Sequence, residues 1–568
     1  MKKILSSIVL ILMATFCLAQ PFTNELNIPS TLSGTDFILN CQTGTTEFIP
    51  GVQSATYGYN GSLLGPTLIF QQNDSLNITV NNNVGETVTL HWHGMHVPAK
   101  FDGGPHNEIE DGQSWSPTFK VYEEASTMWY HSHLHHNTLR QVNKGLAGMI
   151  IIKDDNEATL DLPRTYGVDD FPIIIQDRSF DSTGVLIDHV VLGDTVMTNG
   201  TLSPYVECPA QMVRFRLLNA SAQRIYNIGM SDDRNFSIIA GDAGLIAEPY
   251  DTNRIVISPG ERVEIVVDFS GENGDSLQLL TYASELELGH PGGPFLIADD
   301  HFPSAINGID LPFLQMNIVA ATASPVTSIS TTLNNIVPLD TSLAVRERYK
   351  KLSGTLDNSG NRVWTINDRA YSMMRIDDIV VDGDIEVWEL DNSSAITHPF
   401  HIHAGHFYIV SRNGVAPPPY ERGKKDVVYV RGGEKVKFAM KFEDFPDEEH
   451  LYMYHCHLLN HEDHGMMAQF LMVDSSYFTS ATTSLINDES LVVSPNPVKD
   501  LLDVSLDAQD EHIEQIILLD IQGKMVKEWN FSSMTLQEQI DMSVYDIGTY
   551  FVLVNTERGM RIMKVIKN

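Results

Sequence analysis

The chain of 568 residues reads as all-β, a succession of small sandwiches or barrels. Three observations predict this. Stretches at 76–80, 88–92, 173–176, 214–218 and 262–269 alternate apolar with polar residues or are β-branched, with Gly, Asn, Asp and Pro clusters between them. Almost no stretch carries the 3.6-residue period of an amphipathic helix. The length is too great for one ordinary domain, so many short strands at close spacing imply several sandwiches rather than one. A hydrophobic fraction of 42% and a charged fraction of 19% suit folded domains rather than disorder.

Taken in order, residues 1–20 read as an export signal. Lys2 and Lys3 precede an apolar run over 4–19, and Cys17-Leu18-Ala19 supplies small residues for cleavage. The run is short for a membrane span, and no other stretch approaches the length of one, so no transmembrane segment is expected. A lipoprotein anchor at Cys17 is the competing reading; the bulky Phe16 argues against it. Residues 21–160 form a first block, ending in a strand-like stretch at 148–153 and the polar run DDNEATLDLP. A second block, 161–325, closes near AATASPVTSISTT, and a third covers 326–475. Each has the size of one small sandwich. A Ser/Thr-rich linker at 476–490 leads to a fourth segment, 491–568, with alternating strands. Without the signal, Cys41, Cys208 and Cys456 remain, an odd number for an exported chain. Cys41 and Cys208 could form a disulfide or be two buried thiols.

The net charge is −36, from 37 basic and 73 acidic residues. Phosphate would be repelled, so nucleic acid is excluded as a partner. The balance suits a soluble exported protein, or one that meets cations.

Scattered at random, the 21 histidines would produce roughly one His-X-His. The chain has five: His91/His93, His131/His133, His133/His135, His401/His403 and His455/His457. On a strand, residues i and i+2 point to one face, so each pair aims two imidazoles into one space. The contexts TVTLHWHG, TMWYHSHL, HPFHIHAG and LYMYHCHLL read as strands. One such pair is ordinary as a surface or core feature; four in matching contexts point to metal, and imidazole suits copper, zinc, iron or nickel. The run HCHLLNHEDHGMM adds a second signal. If His455 and His457 face one way, Cys456 faces the other, and one strand serves two sites. With His461, Met466 and one more histidine, Cys456 would complete a His₂Cys site with a weak axial methionine, the blue-copper geometry.

The segments HWHG (91–94), WYHSHLH (129–135), HPFHIHAGHF (398–407) and HCHLLNHEDHGMM (455–467) resemble the multicopper oxidases: laccases, bilirubin oxidases and bacterial cuprous oxidases. YGYNGSLLGPTL (57–68) and NKGLAGMIII (143–152) are similar too. The resemblance covers about residues 35–474 and implies three consecutive cupredoxin-like Greek-key β-sandwich domains. It implies four copper ions. The type 1 ion would take His398, Cys456, His461 and axial Met466; the type 2 ion, His91 and His401. The type 3 pair would take His93, His131, His133, His403, His455 and His457. His135, His136, His406 and His464 are left as supporting or solvent-facing residues. The implied reaction couples one-electron oxidation of a small-molecule substrate to four-electron reduction of dioxygen to water, with electrons crossing Cys456. Asp102, in KFDGGPH, and Glu462 would supply protons.

Two departures bear on substrate. The region before the HPFHIH strand, where cuprous oxidases carry a methionine-rich insertion, holds only Met373 and Met374. The stretch DNSSAIT before His398 places no acid next to the blue site. A phenol or aromatic-amine oxidase is therefore expected, with an oxidase of Cu(I) or another metal ion as the alternative and a copper-free cupredoxin scaffold as a third reading. An axial methionine implies a modest blue-copper potential. Finally, LVVSPNPVKDLLDVSL, LLDIQGKMVKEW and DIGTYFVLVNTERGMRIMKVIKN resemble the C-terminal sorting domain of the type IX (Por) secretion system. This implies that machinery as a partner, passage across the outer membrane, and a secreted or cell-surface location. The chain is expected to be a monomer.

Overall fold

A computed structural model describes residues 22–294, 303–356, 360, 362–477, 491–506, 512–521, 525–556 and 559–568. The expected signal, 1–20, and most of the expected linker, 478–490, lie outside the described residues. The fold is all-β, as the strand pattern predicts. Among the described residues no helix is long and apolar enough to cross a membrane.

The first sandwich shows how sequence becomes layer. In Ser75–Asn83, SLNITVNNN, burial alternates so that Leu76, Ile78 and Val80 point inward. They meet Phe37, Leu39 and Tyr130 in one core, each large apolar side chain contributing about 1.5–3 kcal/mol by leaving water. One sheet runs Thr31–Ser33, Thr67–Gln71, Ala147–Lys153, Ser126–His131, His91–His93. The other is built on Val52–Tyr59, Asp36–Ile49 and Ser75–Asn83. The second sandwich packs an eight-stranded against a six-stranded sheet. That six-stranded sheet recruits Asn24–Glu25, which pairs in parallel with Pro204–Pro209. The third packs two five-stranded sheets, one of them ordered Asp378–Val381, Met467–Val473, Tyr452–Cys456, His398–Ile402, Val427–Val430. The C-terminal segment is a small sandwich of three and four strands with its own core.

Cys41 lies in the core of the first sandwich and Cys208 in that of the second, and both are free thiols. Burial pushes both thiols well above the ordinary cysteine range. The open question of their pairing closes on two buried apolar thiols.

Four strands position the site, one of them the fully buried His91–His93. Ser126–His131, His398–Ile402 and Tyr452–Cys456 are buried along their whole length. Tyr130, Phe400 and Tyr454 fill the cores of their own sandwiches, while His131, His401 and His455 point from the opposite faces. Tyr452 donates from its hydroxyl to the Val97 carbonyl across the junction of the first and third sandwiches at 2.8 Å.

Candidate metal centre

Antiparallel register sets the imidazoles opposite one another. His91 pairs with His131, and Trp129 with His93. In the third sandwich His401 pairs with His455, and Phe400 with Cys456. Directly opposed residues share a face. His91, His93 and His131 therefore point to one side of their sheet, and His401 and His455 to the facing side of the other. His133, His403 and His457 follow just beyond the strand ends.

The eight rings gather at one junction in overlapping groups, His91 with His93 and His401, His93 with His131 and His457, and His133 with His403 and His455. Nε2 of His91 and Nε2 of His401 lie 3.4 Å apart. His93 Nδ1 lies 3.4 Å from His131 Nε2, and His457 joins them. His133 Nε2 is 3.2 Å from His455 Nε2, which is 3.4 Å from His403 Nε2. The outward nitrogens are held: His91 Nδ1 by the Asp102 carbonyl at 2.9 Å, His401 Nδ1 by the Asp426 carbonyl at 2.8 Å, and His131 Nδ1 by the Ser132 carbonyl at 2.7 Å. His93 Nε2 lies 3.1 Å from Asp426 Oδ1, and His403 Nδ1 lies 2.6 Å from Asp102 Oδ2. Such outer contacts fix tautomer and ring direction in metal sites. Burial lowers every one of these histidines, His133 and His455 to about 4, so they stand neutral, as ligands must. Both ring nitrogens of His457 are buried without a hydrogen bond. That is costly in a dry interior and natural for a ligand. The donor set fits a group of closely spaced transition-metal ions.

The two acids named from sequence are both buried at this cluster. Asp102 enters on a tight loop, and Gly103, at φ +81°, has no room for a Cβ, which would fall 1.7 Å from the Leu90 carbonyl oxygen. Burial raises the Asp102 carboxyl well above its usual range. Glu462 sits on the short helix Leu459–Asp463. Its two oxygens lie 3.1 Å from His133 Nδ1 and 3.2 Å from His455 Nδ1, and Thr138 Oγ1 donates to it at 2.8 Å. Burial raises it too.

Cys456, on the opposite face of its strand, joins a separate group. Its Sγ lies 3.4 Å from His398 Nδ1 and 3.7 Å from His461 Nδ1, and those nitrogens are 3.2 Å apart. Met466 is fully buried in the same core, and its carbonyl accepts from the Cys456 amide at 2.9 Å. Burial pushes the Cys456 thiol up and lowers His398 to about 3. A bound cation is what would make the thiolate favourable there.

The structure thus brings together the candidate residues in two adjoining clusters. It adds four that sequence reading missed. Asp426 holds His93 and His401, and Arg262, from the second sandwich, grips both Asp426 oxygens at 2.6 Å. Trp364 stacks on His461 with centroids 3.7 Å apart. Ser394 Oγ lies 2.9 Å from His398 Nε2. Gly94 of HWHG was a faint signal for the first two: at φ +89° a Cβ there would meet Asp426 Oδ2 at 2.7 Å and Arg262 Nη2 at 2.8 Å. The histidines left over lie outside both clusters. His135 stacks on His136, His406 contacts the Gly94 carbonyl at 2.7 Å, and His464 is exposed.

The chain is similar to known proteins along most of its length. Multicopper oxidase family models match residues 40–157, 178–276 and 344–476, and a secretion system C-terminal sorting domain model matches 492–568. The chain is 34% identical over 443 residues to multicopper oxidase mco of Staphylococcus haemolyticus, covering 76% of this chain and 88% of that one. It is 32% identical over 447 residues to cell division protein FtsP of Escherichia coli, covering 77% and 90%. Among solved structures it resembles a bacterial laccase-like multi-copper oxidase, CueO, from Ochrobactrum sp., with TM-score 0.70 and 34% identity over 79% of this chain and all of that one.

Proposed function

The chain belongs to the multicopper oxidase family, and from that premise we propose that it oxidises phenols or aromatic amines one electron at a time and passes the electrons to dioxygen, giving water. Copper, when bound, supplies the one-electron couple and the place where dioxygen is reduced. In this reading His398, Cys456, His461 and Met466 hold the type 1 ion, and His91 with His401 the type 2 ion. His93, His131 and His457 hold one type 3 ion; His133, His403 and His455 hold the other.

One observation carries the reading: the two clusters lie on opposite faces of the single strand Tyr452–Cys456. Cys456 Sγ belongs to one, and the rings of its neighbours His455 and His457 to the other. The covalent path between them is three residues long, and no solvent intervenes because all three are buried. Asp102 is placed to carry a proton at the cluster. Its Oδ2 is engaged by His403, while its Oδ1 is buried and makes no hydrogen bond. Glu462, fixed by Thr138, lies against His133 and His455 and is placed to relay a second proton. The fourfold proton demand of dioxygen reduction gives both acids a task. The complete donor set supports the oxidase reading over a metal-free scaffold, although a relative named as a cell division protein is about equally similar.

Two contacts favour an organic substrate. Among the described residues a hydroxyl, Ser394 Oγ, meets the outward nitrogen of His398, and the Trp364 indole covers His461. A neutral hydroxyl and a buried indole give a metal ion no carboxylate to bind at these two rings. The Ochrobactrum relative is described as active towards lignin model compounds, which supports the same class. The sorting domain indicates export by the type IX route, to the surface or beyond. Steady-state rates on a phenolic dye and on Cu(I), measured side by side on the copper-loaded protein, test the substrate. Faster turnover of Cu(I) would replace the phenol reading with the metal-oxidase one.

A further inference from the structure

The last strand of the oxidase body, Met467–Val473, is buried at every position. A strand with one face in a core and the other in water alternates; a continuous apolar run means both faces are covered. Ala468, Phe470 and Met472 point into the third sandwich. Leu471 and Val473 point the other way, beside Ile379 and Val381 of the neighbouring strand, with which they are in register.

The sorting domain shows the same double-sided pattern. In Gly548–Thr556, Val552 and Val554 fill its own core, while Phe551 and Leu553 face outward. Leu519 and Ile562, register partners of Phe551 and Leu553, extend that outer face. The two outer faces meet. Leu471, Val473, Phe551, Leu553 and Ile562 form one buried cluster, each less than 4% exposed. At its margin Arg369 Nη1 lies 3.5 Å from Glu514 Oε2, joining body to tail by opposite charges.

We propose that the sorting domain is seated on the oxidase body through this apolar face, so that the two are exported as one packed unit and cutting the chain between them does not by itself release the tail. The inference does not depend on the copper reading. It rests on two sheets, each apolar on both sides, whose spare faces match. The body then exposes this strip only when the tail is pulled away, and the partner it fits is the chain's own C-terminal sheet.

The test uses the full chain with a protease site placed between residues 478 and 490. After cleavage at roughly 10 µM, above the micromolar Kd of weak interfaces, the tail is expected to co-elute with the body on size exclusion. Leu553→Asp should release it into a separate peak, with the fold of the freed tail checked by its resistance to proteolysis. Arg369→Glu should shorten retention several-fold, and Glu514→Arg added to it should restore retention. Prompt separation of the unsubstituted nicked chain would overturn the proposal. So would a nicked body that elutes as a dimer without the tail, which would make a second copy the occupant.

Discussion

Arg262 is the residue whose loss should tell most. Its side chain is fully buried and makes five contacts: Nε to the Thr127 carbonyl, Nη1 to the Gly260 carbonyl and Asp426 Oδ1, and Nη2 to the Asp242 carbonyl and Asp426 Oδ2. A guanidinium has five N–H donors, so every one is used. Arg262→Met keeps most of the volume but leaves the Asp426 carboxylate buried against His93 and His401 with its guanidinium partner gone. Breaking a buried pair by removing one partner costs about 3–5 kcal/mol. The same change frees Asp426 from its fixed position, and with it His93 Nε2. Losing an outer contact of this kind lowers metal affinity about 10–100-fold. The type 1 group is anchored elsewhere and should be spared. The assay is denaturant unfolding followed by several probes, since a multidomain chain need not unfold in one step, together with copper content and visible absorption. The expected outcome is lowered stability, fewer coppers per chain and a retained blue band. Adding Asp426→Leu should recover stability by removing the stranded charge. It should not recover copper, because His93 still lacks its partner while His401 keeps the residue-426 carbonyl. A stability loss under about 1 kcal/mol with full copper content would refute the reasoning.

Four further outcomes are expected. Cys456→Ser should abolish the blue band and substrate oxidation while leaving the fold, since the thiolate supplies both; a retained band would remove it from the site. Asp102→Asn should slow oxygen reduction with the blue copper intact, and unchanged turnover would take Asp102 out of the proton supply. Trp364→Ala should unpack His461 and shift the blue-copper potential; an unchanged potential would show that the indole does not hold that ring. His290 is lowered to about 4 from its usual 6.5, chiefly by burial and then by Arg431. The fold holds it neutral, so its contribution is full above pH 6.5 and drains away as pH falls towards 4, about 3 kcal/mol across the window. In the copper-loaded protein, where ligand histidines cannot protonate freely, His290→Gln should flatten the acid limb of stability against pH.

The legible part of this protein is the part with local periodicity. Strand alternation predicts the layers, and the two-residue period of a strand is also what makes His-X-His a ligand signal. For the same reason Cys456, flanked by His455 and His457, was assignable to the opposite face before any fold was known. The run HCHLLNHEDHGMM offered His461 and Met466 as partners of Cys456, and the multicopper oxidase motifs then supplied His398, which spacing could not. Other features follow no period. Asp426 and His93 are 333 residues apart, and Arg262 lies in a sandwich that supplies no metal ligand. Trp364 sits on a hairpin with no motif. Which of the eight histidines come within reach of one another depends on where two sheets from different sandwiches face each other. The sequence by itself determined which side chains could ligate and which face of each strand they occupy, because that is set by backbone geometry within a few residues. Only the tertiary structure decided which rings meet, which carboxylates hold them, and that the tail covers the body's last strand. Those contacts are made by long-range packing, which leaves no spacing to read.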